Sequence, residues 1–401
     1  MFTGSTVKPL KVVHFTSVHP AFDFRVFYKE CRSLARAGYA VTLIAPHEKD
    51  EIIDGVRIKA VPRWNSRLVR MFRTVWQVYR QAVREDADLY HFHDVELIPA
   101  AMLLRAWGKK VIYDIHEDVP RHIQSKYLIP KWLRPLLGWI AERVENAACA
   151  WLTALVPATP TIAARFTAIN KYTVVVHNFP SLTLFDKFPP DSWDRRPCVV
   201  AYVGGISVAR GAREMITAME ILPETLGATL ELAGEIRPEG LIYELTKLPG
   251  WKRVEFLGYI DHDSLPTLLN GVQAGLVVLH PVPQYPEAYP VKMFEYMAAS
   301  IPIIASDFPL WRQIIQEAGC GLLVDPRDSR AIARAIEYLL THPTEAALMG
   351  KQGRHAVESF YNWEYEERKL LQLYADLLPA FASTAGSHKE AALEEGEQLA
   401  R

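Results

Sequence analysis

At 401 residues the chain exceeds the size at which one hydrophobic core stops growing, so two domains of similar size are the first expectation. Half of its residues are apolar and the formal net charge is -1, which excludes a disordered chain and any general attraction to nucleic acid. Cys31, Cys149, Cys198 and Cys320 stand far apart, with no CxxC pair and no zinc spacing, as expected of a reducing compartment.

Lys8 and Lys11 flank a short apolar strand pattern and not the longer core of a signal peptide, so the cytosol is the expected address. No apolar run approaches the roughly 18 to 20 residues that cross a bilayer. The nearest, Ala147 to Ala158, is short and contains Pro157. Contact with the inner face of a membrane is compatible with this pattern, whereas a span is not.

Short β-branched runs alternate with amphipathic stretches, the pattern of parallel sheets covered by helices. In the first half the strands are expected at Lys11 to Phe15, Ala40 to Ala45, Val56 to Val61, Leu89 to His93, Lys110 to Ile115 and Thr173 to Val176. Arg25 to Ala37 reads as a helix that stops at Gly38. Arg63, Arg67, Arg70, Arg73, Arg80 and Arg84 interleave with Trp64, Leu68, Val69, Phe72, Val75, Trp76 and Tyr79, with no acid between them. Such a basic amphipathic helix suits an anionic lipid surface or a lipid-diphosphate acceptor; the competing reading is a domain-packing helix with a solvated basic edge. Lys131-Trp132-Leu133-Arg134 extends the same expectation.

Pro180, Pro189, Pro190, Asp191 and Asp194 crowd the stretch from Asn178 to Pro197, which reads as a linker. Strands resume at Cys198 to Val203, Thr229 to Ala233, Val254 to Leu257, Ala274 to Leu279 and Pro302 to Ala305. Thr344 to Glu358 and Asn362 to Leu378 read as helices, and the polar, Glu-rich 384–401 as a disordered tail. The domains expected are 1–185, 190–360 and a terminal helix over 361–380.

Ligands of open parallel sheets sit beyond the carboxyl ends of the strands, so the residues following each strand carry the functional signal. After the first strand come His19, Asp23 and Arg25, without the G-x-G-x-x-G of a dinucleotide turn. His19 and Asp23 read equally as a turn and a helix cap. His91, His93 and Asp94 end one strand, and His116 follows the next. His91 is expected to be a buried structural histidine on the face opposite His93. A zinc site of His93, Asp94, His116 and Asp118 lacks diagnostic spacing, so no metal is expected. His116 is the stronger candidate.

In the second half, Gly204 and Gly205 end a strand and Arg210-Gly211 opens a helix, a pattern that resembles a phosphate cradle. Pro290 starts another helix, with Glu287 in the loop before it and Lys292 and Glu295 on its first turns. A plain Lys292–Glu295 surface pair is the bland alternative.

Glu287-x7-Glu295, the wording P-V-K-M-F-E-Y-M-A and the following Ile301-Pro302-Ile303-Ile304-Ala305-Ser306 resemble the retaining glycosyltransferases of family 4, in their bacterial surface-polysaccharide branch. The resemblance runs from about Lys11 to Leu378. It implies the GT-B fold: α/β, two Rossmann-like doubly wound domains facing across a cleft, with an N-terminal acceptor-binding domain and a C-terminal nucleotide-sugar-binding domain. The terminal helix would cross back to the first domain.

Residue by residue, the resemblance implies that Glu295 holds the nucleotide ribose, Glu287 contacts the donor sugar, His116 lies near the reacting sugar and Arg210 neutralises the diphosphate. Gly204, Gly205 and Lys292 complete the donor set, and His19, Asp23, Arg25, His93 and Asp94 are the acceptor-side candidates. The implied substrates are a nucleotide-diphosphate sugar and a glycan or polyprenyl-linked acceptor, with no cofactor. Many relatives carry an arginine where this chain has Gly205, and Lys292 is the obvious substitute. Their Gly-Gly loop after the first strand is missing as well, a place that Asp23 and Arg25 would fill. The alternatives are a sugar-nucleotide epimerase of the same fold and a catalytically weak partner subunit. A pyridoxal-phosphate phosphorylase lacks its lysine motif here.

Overall fold

The computed structural model describes residues 9–64, 70–116, 118, 130, 132–186, 193, 196–261 and 263–379. Within them the chain forms two compact units, the first from Met1–His177 with Glu366–Arg401 and the second from Asn178–Tyr365. The expected tail at 384–401 lies outside the described residues.

The first unit is built on strands β1 (Lys11–Phe15), β2 (Ala40–Pro46), β3 (Glu51–Ile53), β4 (Val56–Val61), β5 (Leu89–Phe92), β6 (Lys110–Ile115) and β7 (Ala154–Pro157). They lie in the order β3-β4-β2-β1-β5-β6-β7, all parallel except the β3–β4 hairpin. The central strands are buried on both faces, as crossover-covered parallel strands are. Side chains alternate between those faces. Val13, Phe15, Tyr90, Phe92, Val111 and Tyr113 enter one apolar core. His14, His91, His93 and Asp114 are the buried polar residues of the opposite face.

Two sequence expectations need correction here. Residues 91 and 93 are two apart and share a face, and their rings lie 5.0 Å apart, so His91 does not turn away from His93. The seventh strand is Ala154–Pro157, while Thr173 to Val176 runs beside it with one isolated bridge and one further backbone bond. A short apolar run gives no periodicity that separates the end of a helix from a buried strand, and Arg134–Trp151 is the helix that abuts this one.

The second unit contains β8 (Val199–Val203), β9 (Thr229–Ala233), β10 (Val254–Gly258), β11 (Ala274–Val277), β12 (Ile303–Ser306) and β13 (Gly321–Val324), in the parallel order β10-β9-β8-β11-β12-β13. Renumbered from its own first strand this is the doubly wound order 3-2-1-4-5-6. Val200 and Tyr202 of β8 enter a core that includes Ile216, Leu230 and Ile336. Ala201 between them enters a second core with Phe294, Tyr296 and Trp311. Phe179 and Phe185 belong to that second core, so the chain leaves the first unit at His177, where the proline-rich stretch begins and eight residues before the expected bound at 185.

The helix Trp363–Leu377 carries the chain back to the first unit, where Tyr374 is fully buried. In both units the strand order reverses beside the first strand. The crevices for ligands are thereby set at the carboxyl ends of β1 and β5, and of β8 and β11.

Candidate functional site

β8 ends at Gly204, whose φ of +111° suits a residue without a Cβ. Gly234, with φ +145°, lets the β9 loop come against it: a Cβ at 234 would stand 2.0 Å from the Gly204 carbonyl oxygen. The turn is therefore held at backbone contact. The helix Val291–Ala298 packs beside it through Tyr296, whose ring lies on Gly275 of β11. The Tyr296 hydroxyl accepts from Val203 N (2.9 Å) and donates to Ala201 O (3.3 Å) on β8. Lys292, four residues earlier, shares that helix face and so reaches the glycine turn.

Its Nζ lies 3.2 Å from the position of the Cβ that Gly204 lacks and 3.5 Å from the centroid of the Tyr202 ring. The atom is shut off from solvent and has no hydrogen-bond partner. Burial first, then the charge of Arg210, pushes the Lys292 amine well below its ordinary range, with Glu295 pulling the other way. Arg210 approaches from the other side. Its Nη1 lies 3.0 Å from where a Cβ of residue 205 would be and donates to Gly205 O (3.2 Å), while Nε donates to the Tyr285 hydroxyl (3.3 Å). Two cations thus converge on a backbone turn at the topological switch point, with neutral oxygens as the hydrogen-bond acceptors of Arg210. A buried ammonium without a counter-charge is expensive unless an anion completes it. Glu295 is buried on the same helix, so no exposed Lys292–Glu295 pair exists, and Glu287 is exposed in the loop before it.

In the first unit the structure brings His19, Asp23, Arg25, His93, Asp94 and His116 together at the ends of β1, β5 and β6. Asp94 Oδ2 accepts from Thr16 Oγ1 (2.6 Å), Ser17 N (2.6 Å) and Val18 N (3.1 Å), which fixes the loop after β1. Asp23 Oδ1 accepts from the backbone N–H groups of Arg25 and Val26, and Oδ2 meets His19 Nδ1 at 3.1 Å. Asp23 thus caps the turn that starts the following helix and holds His19 beside it. Burial opposes a charged His19, but the hydrogen bond and charge of Asp23, then Asp94 and Asp114, outweigh it and raise its pKa to about 9. His116 behaves oppositely. Burial, against the pull of Asp114 and with the charges of Arg25, His93 and His19, takes it down to about 3.

Arg25 is turned inward, away from any diphosphate. It donates to Asp114 through Nε and Nη2 (3.0 Å each) and to Val176 O through Nη1 (2.8 Å). His14, Glu30, Asp114 and Tyr374, which complete this buried network, carry no motif that singles them out in the sequence. The one available signal was polarity in the strand interiors K-V-V-H-F and K-V-I-Y-D-I. Two groups of donor atoms lie within metal-binding reach, His14/Glu30/His91 and His93/Asp114/His116. The Arg25 guanidinium, 2.9 Å from Glu30 Oε1 and bidentate on Asp114, sets a fixed positive charge against a cation in either place. Of the four residues weighed for zinc, Asp118 pairs instead with Arg165 (3.0 Å).

Two family models match the chain: "Glycosyltransferase Family 4" over residues 24–182 and "Glycosyl transferases group 1" over 186–356. The chain belongs to glycosyltransferase family 4. A glycogen synthase of Mycobacterium tuberculosis is 26% identical over 44% of this chain and 42% of its own length, so the match spans about two fifths of that relative. A phosphatidyl-myo-inositol mannosyltransferase of Mycobacterium leprae is 28% identical over 79% of each chain. The solved structure of Anabaena HepE in complex with UDP-glucose shares the fold, with a TM-score of 0.68 at 15% identity over 92% of this chain and all of that one. The two parallel sheets are those of the GT-B class.

Within this family frame the glycine at 205 acquires a physical reason. A Cβ there would stand 3.0 Å from Arg210 Nη1, so the Arg210 guanidinium occupies the space beside residue 205 and would have to shift for a side chain there. Lys292 lies on the other side of the same turn, as its position four residues before Tyr296 allows.

Proposed function

We propose that the protein is a retaining glycosyltransferase that moves a sugar from a nucleoside-diphosphate sugar to a glycan or polyprenyl-linked acceptor, in the building of bacterial surface polysaccharide. The observation that carries this reading is the buried, unpartnered Lys292 ammonium beside Arg210 at the Gly204–Gly205 turn. A leaving diphosphate brings the missing negative charge. Arg210, Lys292 and the turn's backbone stabilise that charge as the sugar–phosphate bond breaks, which is the main catalytic term expected of such a reaction. The departing phosphate oxygen takes the acceptor's proton on the same face, so the anomeric configuration is kept and no metal or second carboxylate is used. Glu295 is assigned to the ribose, Glu287 to the donor sugar, and His116 to a sugar hydroxyl. His19, Asp23 and His93 are acceptor-side groups, with Asp94 and Arg25 as their framework.

We assign a peripheral lipid contact to the 63–84 segment. Phe72 (74% exposed) and Trp76 (55% exposed) project outward, while Val78, Tyr79 and Ala82 pack into the core. Arg73 stacks on Trp64 at 5.6 Å, and Arg67, Leu68 and Val69 lie outside the described residues. No helix among the described residues is long and apolar enough to cross a membrane. Flotation with anionic vesicles at low salt is expected to recruit the wild-type protein and not Phe72→Ser/Trp76→Ser; indifference of the wild type removes the lipid assignment.

Nucleotide sugars are expected to raise the melting point, because a ligand that binds only the folded form stabilises it. Turnover should require an acceptor. An enzyme that converts the donor with no acceptor present is an epimerase, and the transferase reading then fails. NMR of the product's anomeric centre tests retention.

A further inference from the structure

His116 sits at one end of a hydrogen-bonded chain that begins on the terminal helix. His91 Nδ1 meets the Tyr374 hydroxyl at 2.8 Å, the same hydroxyl meets His14 Nε2 at 3.0 Å, His14 Nδ1 meets His93 Nε2 at 3.0 Å, and His93 Nδ1 meets His116 Nε2 at 3.3 Å. His14, His91 and Tyr374 are fully buried and His93 nearly so, and His116 is the member that reaches solvent. A neutral imidazole has one N–H and one bare nitrogen, and the hydroxyl has one proton. Three proton arrangements fill every link of this chain: two run through it in opposite directions, and in a third both neighbouring histidines donate to the hydroxyl, which leaves its own buried proton without an acceptor and is thereby disfavoured.

The surrounding charges separate the two directions. Asp114 is held as a carboxylate by the two-pronged bond from Arg25. Its oxygens lie 3.8 Å from His91 Nε2 and 3.7 Å from His116 Nε2, the two ends of the chain, and 3.6 Å from His93 Nδ1. When the chain runs from His116 to His91, both terminal nitrogens carry N–H beside that carboxylate, the His116 proton being shared with His93 Nδ1, whose lone pair is then the one that faces it. Run the other way, both present bare lone pairs to it and only His93 Nδ1–H faces it. The first direction is favoured. Glu30, 3.8 Å from His14 Nδ1 and 4.0 Å from His93 Nε2, is pushed towards its neutral form chiefly by burial, and His19 stands as a cation with its ring 5.2 Å from that of His116. Neither supplies a negative charge that would reverse the preference.

We propose that Tyr374 is a positioning residue that, through His14 and His93, fixes His116 as its Nε2–H tautomer and leaves Nδ1 to accept a hydrogen bond from a hydroxyl of the bound sugar. Among the described residues Nδ1 of His116 has no partner. The terminal helix thereby sets the chemistry of a site residue more than 250 positions earlier in the chain. The tautomer stands on the hydrogen-bond geometry and the charges around it, whereas the role toward sugar rests on the proposed transferase activity.

The test is long-range proton–nitrogen NMR on the full chain with nitrogen-15-labelled histidine. In the wild type His116 should show a protonated Nε2 and a bare Nδ1; the opposite pattern overturns the proposal. Tyr374→Phe breaks the chain and should give His116 averaged shifts of two tautomers, with kcat down about tenfold, as for loss of one hydrogen bond. KM for the nucleotide donor should stay within about twofold, since unit 2 is untouched. Tyr39→Phe, whose ring packs on Tyr374 outside the chain, should leave tautomer and kcat unchanged and so controls for packing. If Tyr374→Phe does not fold, His14→Leu, which can neither donate nor accept, breaks the same chain one link nearer to His116. An unchanged His116 tautomer in the broken chain refutes the relay, while a changed tautomer with wild-type kcat refutes the role toward sugar.

Discussion

Replacing Lys292 by Met separates stability from ligand binding. In the free protein the Lys292 side chain lies over the Tyr202 ring with no hydrogen-bond partner, so Met removes a cation–π contact of about 1 to 2 kcal/mol together with a desolvation cost of several kcal/mol. Met fills nearly the same volume. The melting temperature should therefore hold or rise, by about 3 °C for each kcal/mol relieved in a unit of this size. Binding of UDP is affected differently, because a charge-assisted hydrogen bond to a phosphate contributes about 1.5 to 3 kcal/mol. At about 1.4 kcal/mol per decade, affinity should fall by about ten- to a hundredfold. Calorimetric titration of wild type and Lys292→Met with UDP, beside thermal melts of both, gives the two numbers. An affinity within threefold of wild type at a melting point that holds or rises refutes the placement of the diphosphate.

The pKa of Lys292, lowered by burial, adds a pH dependence: below it the free amine is charged and binding moves no proton, whereas above it UDP binding should weaken with rising pH and take up a proton, read from titrations in buffers of different ionisation enthalpy. His19 should titrate near 9 by NMR, and Asp23→Asn should bring it down. Its stabilising effect is full below the ordinary 6.5 and is lost as pH rises through about 9. A wild-type His19 that titrates at 6.5 contradicts the ion pair. Gly234→Ala forces a methyl into the Gly204 carbonyl at a positive φ and should cost about 3 kcal/mol, a fall of about 10 °C in melting point, with loss of UDP binding. A variant that melts within 2 °C of wild type removes the tight contact.

Most strands were legible because alternation and β-branching are local. So was the glycine turn, since only glycine takes the φ of residue 204 cheaply. The pairing of Lys292 with that turn needed the tertiary fact that Tyr296 lies on Gly275. Gly205 looked like a missing charge, and only the position of Arg210 Nη1 shows that the space is occupied. The buried histidine chain was hidden for another reason. Its members come from β1, β5, the loop after β6 and the terminal helix, and no window of sequence contains more than two of them. His91 was misassigned to the wrong face although the two-residue period of a strand already settles it. The strand at Ala154–Pro157 was not legible at all, since it follows directly on the apolar end of a helix.

The most direct measurement is a crystal structure of the protein soaked with UDP. The diphosphate assignment predicts phosphate oxygens at about 3 Å from Lys292 Nζ and from the Arg210 guanidinium, over the Gly204–Gly205 backbone. A nucleotide that binds with its phosphates away from that turn, leaving the Lys292 ammonium still unpartnered, contradicts it.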